Sequence, residues 1–164
     1  MAALSAIAAL RDLYNSISAT TFGGTTRPPI YMGEAPATNT GGTQQRPPYC
    51  VLRDSGFAPE FQSNTSGIEK AGIDLEIYAD KLDGADEVTV DSIARAVKWG
   101  DSGIPEDKQG FDWGELTFDV AGNYYSISIR RTRERREYVA LGVSGQRVHK
   151  CTLSYEVTIG LKPS

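Results

Sequence analysis

The chain has 164 residues, 40% of them apolar, and a formal net charge of −4. That is the size of one domain with enough apolar material for a core. No apolar run approaches the roughly 20 residues that span a bilayer, and a pI near 5.0 argues against a protein built chiefly to grip nucleic acid. The charge is unevenly placed: residues 69–119 hold 14 acids against 5 bases, residues 120–164 hold 8 bases against 3 acids, and residues 1–68 hold four of each. Such asymmetry suits binding to a polyanion, or the meeting of an acidic side with the basic side of an identical neighbour.

In MAALSAIAALRDLY there is no basic n-region, and Leu4, Ile7, Leu10, Tyr14 and Ile17 recur at spacings of three and four. The segment reads as an amphipathic helix over residues 2–17 of a soluble, non-secreted protein rather than as a signal peptide. Residues 21–48 are rich in Thr, Gly and Pro and read as a long loop, an arm reaching away from the core, with a short extended piece at Ile30–Met32. YCVLRD, entered from Pro47-Pro48, reads as a strand, and SGFAPEFQSNTSG as a turn or long connection. AGIDLEIYAD alternates, with Ile73, Leu75 and Ile77 opposite Asp74, Glu76 and Tyr78, as a half-buried antiparallel strand does. In DEVTVDSIARAVKWG, residues Val90, Ile93, Ala94 and Val97 share a helical face. Asp83 or Asp86 is a possible N-cap, acids crowd the first turn, and Gly100 closes the helix.

Strands follow at ELTFDV and NYYSISIRRTRE, and YVALGVSGQ offers a Ser-Gly turn into RVHKCTLSYEVTIGL. On that last strand His149, Cys151, Leu153, Tyr155, Val157 and Ile159 share a face. The order predicts a single α+β domain over 1–164: a mostly antiparallel sheet with two helices packed on one face, plus long extended loops. Its expected core includes Leu4, Ile7, Leu10, Ile73, Leu75, Ile77, Ile93, Val97, Leu153, Tyr155 and Val157.

Catalytic and metal chemistry find little to stand on. His149 is the only histidine and alternates with core residues; Cys50 and Cys151 form no CxxC pair and read as buried thiols. GDSG at 100–103 matches a short piece of serine proteases without the rest of their pattern, and the Gly-Gly pairs lack a following Lys-Ser/Thr. No catalytic residue, metal or cofactor is therefore expected.

RRTRERR at 130–136 is the most unusual stretch. Simple alternation would put Arg131, Arg133 and Arg135 on one side and Arg130, Thr132, Glu134 and Arg136 on the other. A buried face cannot take unpaired arginines, so the strand is expected to leave the core near Ile129 and project as a ribbon over 130–147. Arg130, Arg131, Arg133, Arg135 and Arg136 are then candidates for an interface with acids of an adjacent subunit or partner, Asp86, Glu87 and Asp91 among them, or for contact with DNA.

Several short motifs taken together resemble a known family. ALRDLY lies in an N-terminal helix, YMGEAP in a loop and RPPYCVL at a strand entry; IDLEIYAD runs into DGADEVTVDSIARAVK, and HKCTLSYEVTIGL closes the chain. This order resembles the tail terminator (tail completion, or tail-to-head joining) proteins of long-tailed bacteriophages. The resemblance spans most of the chain on short, degenerate motifs; the loop at 21–48 and the arginine-rich region 130–147 depart from it. It implies a non-catalytic virion protein, assembled in the host cytoplasm and forming a ring at the neck, expected to be a homohexamer. The ring would cap the head-proximal end of the tail tube, meet the tail tube protein and the head-tail connector or head closure protein, and pass genomic DNA through its lumen, without a membrane partner. The alternatives are a nucleic-acid-binding protein using residues 130–136, or another neck adaptor such as a head closure protein or a tube subunit. The two helices argue against the tube subunit.

Overall fold

Seven strands join in one sheet, in the order β1-β2-β4-β7-β6-β5, with β3 adding to β4. They belong to a computed structural model that describes residues 6–33, 46–54, 60–61, 68–84, 87–101, 110–113, 115–120, 123–141 and 146–161. In chain order the elements are α1 (Ala6–Ser16), a 3-10 turn (Ala19–Phe22), β1 (Ile30–Met32), β2 (Tyr49–Asp54), β3 (Glu60–Phe61), β4 (Ile68–Ala79), α2 (Val90–Trp99), a later 3-10 turn (Phe111–Trp113), β5 (Glu115–Val120), β6 (Asn123–Leu141) and β7 (Gln146–Leu161). Among the described strands only the β1–β2 pair is parallel; β2–β4, β3–β4, β4–β7, β6–β7 and β5–β6 are antiparallel. This is the α+β architecture the periodicity predicts.

Both helices lie on the same face of the sheet, and the register explains why. Directly paired residues share a face, so Cys50–Ile77–Cys151 and Leu52–Leu75–Leu153 form apolar rows across β2, β4 and β7, with Ile73–Tyr155 and Ala71–Val157 continuing them. Leu10, Leu13, Tyr14 and Ile17 of α1 and Val90, Ile93, Ala94 and Val97 of α2 close over these rows in one buried cluster. The expected core residues from Leu10 through Val157 are all buried. Leu4 and the side chain of Ile7 lie outside what is described. Cys50 and Cys151 are both buried free thiols. Burial pushes Cys50 up to about 12 and Cys151 up to about 11, so neither is a thiolate at neutral pH.

Three expectations change. The first concerns residues 21–48: in its described part, residues 21–33, this segment does not reach away from the core. Phe22 is fully buried against Tyr14, Arg27 Nε donates to Ile17 O at 2.9 Å, and Tyr14 OH donates to Pro28 O at 2.7 Å. The segment then pairs as β1 with β2. One large aromatic, Phe22, anchors a stretch whose composition is otherwise polar; residues 34–45 lie outside the described residues.

The second change is at the start of α2. Neither Asp83 nor Asp86 caps it. Thr89 does, in a reciprocal capping box with Ser92 (Ser92 N to Thr89 Oγ1, 3.1 Å; Thr89 N to Ser92 Oγ, 2.8 Å), so of the acids only Asp91 falls in the first turn. Asp86 lies outside the described residues. The third change is that β6 does not leave the sheet at Ile129. It stays paired with β7 to Leu141↔Gln146, and only the tip beyond Tyr138↔His149 runs past Ala79, the last residue of β4.

Leu75 and Leu153 are fully buried and directly paired at the centre of the sheet. Truncating either to Ala is expected to lower the unfolding free energy by roughly 2–5 kcal/mol, as buried leucines do elsewhere. Urea unfolding should show a lower midpoint with an unchanged slope; an unchanged midpoint would contradict this placement.

Candidate interaction interface on strand β6 and the open sheet face

The arginine run is divided by a bulge. Arg131 pairs with Tyr155, but the next registered residue, Arg133, pairs with Ser154, leaving Thr132 as the extra residue. A bulge of one residue inverts the alternation beyond it. The faces are therefore not those that simple alternation predicts. Arg131, Glu134 and Arg136 align with Tyr155, Leu153 and Cys151 and share the helix-covered face. Arg130, Arg133 and Arg135 align with Glu156, Ser154 and Thr152 on the opposite, open face.

On the helix side the charges are neutralised within the chain. Arg136 pairs with Asp91 of α2 and lies 3.6 Å from Glu134; Arg131 reaches Asp112 at 3.3 Å and Glu134 at 3.8 Å; Lys98 of α2 meets Glu134 at 2.7 Å. This network ties α2 and the later 3-10 turn to β6. Burial works to raise the Glu134 pKa, but the hydrogen bond and charge of Lys98, with Arg131 and Arg136, hold it below the ordinary glutamate value. Asp112 goes the other way: burial raises it despite Arg131 and the hydrogen bond from Tyr155 OH at 3.3 Å. The turn bearing Asp112 is seated closely, since a Cβ on Gly110 would come within 2.1 Å of Lys98 O.

The open face carries a second, smaller cluster of Tyr49, Val51, Tyr78 and Val148, with Tyr31 and Val139 packed against it. The rings of Tyr49 and Tyr78 lie 5.0 Å apart and those of Tyr31 and Tyr49 6.1 Å apart. Beside them Glu76 accepts from Arg53 Nε at 2.7 Å and Tyr78 OH at 2.9 Å and meets Lys150 Nζ at 3.2 Å; Lys150 also lies over the Tyr78 ring. Burial alone would raise Glu76, but the hydrogen bonds from Arg53 and Tyr78 and the Lys150 charge bring it below the ordinary value.

The sequence candidates thus separate. Arg131, Arg136 and Asp91 are brought together, inside one chain rather than between two. Glu87 pairs with Lys81 at 2.7 Å and does not meet the arginines. Among the described residues Arg135 pairs only with its neighbour Glu137, at 2.7 Å, and it stays half exposed. Arg130 and Arg133 are exposed, and no salt bridge reaches them among the described residues. Reading the sequence for the site misses Glu134, Lys98 and Asp112 as the neutralising groups, because the bulge that gathers them has no signature in RRTRERR. The Glu76–Tyr78–Lys150 group was visible as the polar sides of two alternating strands.

Among the described residues no group of three or more His, Cys, Asp or Glu is placed to hold a metal ion, and no helix is long and apolar enough to cross a membrane. His149 stacks on Tyr138 with ring centroids 4.8 Å apart, near the end of the β6–β7 pair. No family model and no curated protein matches this chain.

Because the folded pKa of Glu76 is depressed, its ionised form stabilises the fold above the ordinary value of 4.5, and that contribution disappears as pH falls through the lower folded value. Glu76→Gln is expected to be less stable than the parent near neutral pH and to lose less stability between about pH 6 and about pH 3. Urea midpoints across that range check this; parallel pH profiles would contradict it.

Proposed function

We propose that the chain is a structural assembly subunit, the tail terminator of a long-tailed bacteriophage, which forms a hexameric ring on the head-proximal end of the tail tube and joins it to the head connector. One observation carries this reading beyond the motif resemblance. Helices cover one face of the sheet, while its other face carries the buried Tyr49 and Tyr78, a hydrogen-bonded charge cluster and the exposed Arg130 and Arg133, which no salt bridge reaches among the described residues. That combination of aromatic and arginine side chains around a partly desolvated centre suits protein–protein contact. In a ring, each copy uses two different patches. The exposed arginines of β6 and the tyrosine cluster carried by β2 and β4 are chemically unlike patches of one copy, as such a heterologous contact requires.

Negative-stain microscopy of the purified protein, alone and mixed with tail tubes, is the test. Rings seated at one end of each tube, with tube length no longer increasing after addition, are the expected result. Tubes that keep growing with bare ends would overturn the proposal.

A further inference from the structure

β5 accompanies β6 only as far as Glu115↔Ser128, whereas β7 runs along its other side to Leu141↔Gln146. From Ile129 to Leu141, one edge of β6 therefore has no strand beside it among the described residues, and no backbone hydrogen bond among them reaches it. Alternate residues of such an edge point N–H and C=O groups outward, a template for a further strand.

Proteins often guard open edges with charge and bulges, and β6 has both. Guarding does not account for how the charge is arranged. On one strand, the two arginines facing the helices are matched by carboxylates of this chain, Asp91, Asp112 and Glu134. The three facing the open side, Arg130, Arg133 and Arg135, stand at alternate registered positions, roughly 7 Å apart by strand geometry. Two of those three meet no carboxylate among the described residues and the third meets only Glu137, although the chain has 21 acidic residues. Arg130, opposite Glu156 in the register but in no salt bridge, and Arg133 thus stand beside an edge that no described strand occupies, and with Arg135 they are complementary to an extended segment with carboxylates at alternate positions.

A second copy's β6 is a poor occupant, since antiparallel self-pairing over the run sets arginine against arginine. The β1 edge of a second copy is three residues long and follows Pro28 and Pro29, which have no N–H to donate. We infer that the free edge of β6 is a strand-addition site for an extended acidic segment of a partner protein, its backbone completing the sheet and its alternate carboxylates facing Arg130, Arg133 and Arg135.

The inference stands on the sheet edge and not on the ring reading, and its test uses no tail tubes. The full chain is titrated with fluorescent peptides of about a dozen residues: alternating Glu/Val, alternating Lys/Val, and Glu/Val N-methylated at every second residue in either phase, alongside oligo-dT of equal charge. The Glu/Val peptide is expected to bind at least about tenfold more tightly than the Lys/Val peptide, the N-methylated forms and oligo-dT, because both the charge and the backbone hydrogen bonds contribute. Its binding should slow hydrogen exchange at alternate amides between Ile129 and Leu141. The variant Arg130→Glu/Arg133→Glu/Arg135→Glu, whose folding is checked by circular dichroism, should prefer Lys/Val instead. Equal binding of both N-methylated forms would mean charge attraction without strand addition. Preference for oligo-dT would mean a nucleic-acid surface. Edge amides already protected in the free protein, in a concentration-dependent way, would mean a second copy occupies the edge. Each of these, like absence of any binding, overturns the inference.

Discussion

The long antiparallel pairing of β4 with β7, from Ile68↔Gly160 to Ala79↔His149, is what the remaining structure is arranged around. It joins a strand from the middle of the chain to the last one, so its loop-closure cost must be met by burial. It is met on both faces. Ile73, Leu75 and Ile77 lie against Tyr155, Leu153 and Cys151 under the helices, while Tyr78 and Glu76 lie beside Lys150 and Thr152 on the other side. β2 then adds to one edge of this pair and β6 to the other. The helices have only to cover a surface that the register has already made apolar.

The bulge at Thr132 decides what the arginine run does. Without it, Arg133 and Arg135 would turn toward α2, and Glu134 would turn away from Lys98. With it, one carboxylate meets three cations, Lys98, Arg131 and Arg136, on the covered side. Partly exposed ion pairs of this kind add little stability individually. As a connected set they fix α2, the 3-10 turn at Phe111–Trp113 and β6 relative to one another. The same displacement leaves the remaining arginines on the open face, in line, so one inserted residue separates a cross-brace from a charged surface.

Much of this fold was legible because its strands alternate cleanly. YCVLRD, ELTFDV and the short Ile30–Met32 piece fall where they were read, and the helix face of Val90, Ile93, Ala94 and Val97 is the buried one. What was not legible has particular causes. Thr89 rather than an aspartate caps α2 because Ser92 reciprocates, a pairing weaker to the eye than Asp at a turn. Phe22 fixes a segment whose composition reads as free loop. Alternation carries no warning of a bulge, so the arginines were assigned to the wrong faces. The expectation that arginines pair with acids of residues 69–119 had the right chemistry: Asp91 and Asp112 belong to that segment, and they are reached within the chain.

The second cluster, around Tyr49 and Tyr78, matters for the same strand. Past Ala79 the described sheet narrows to β6 and β7, and an isolated two-stranded ribbon is marginal in water. This one is not isolated. Val148 is fully buried in the open-face cluster with Val139 packed beside it, and on the other face Tyr138 stacks on His149 with the Arg147 guanidinium 5.1 Å from its ring. Apolar contact on one side and ring stacking on the other hold the tip, and the tip holds the far end of the β6 edge. An edge kept straight by its own chain has less freedom to lose when a partner docks. The tyrosines of the open face therefore serve the arginines indirectly, by fixing the strand on which those arginines are spaced.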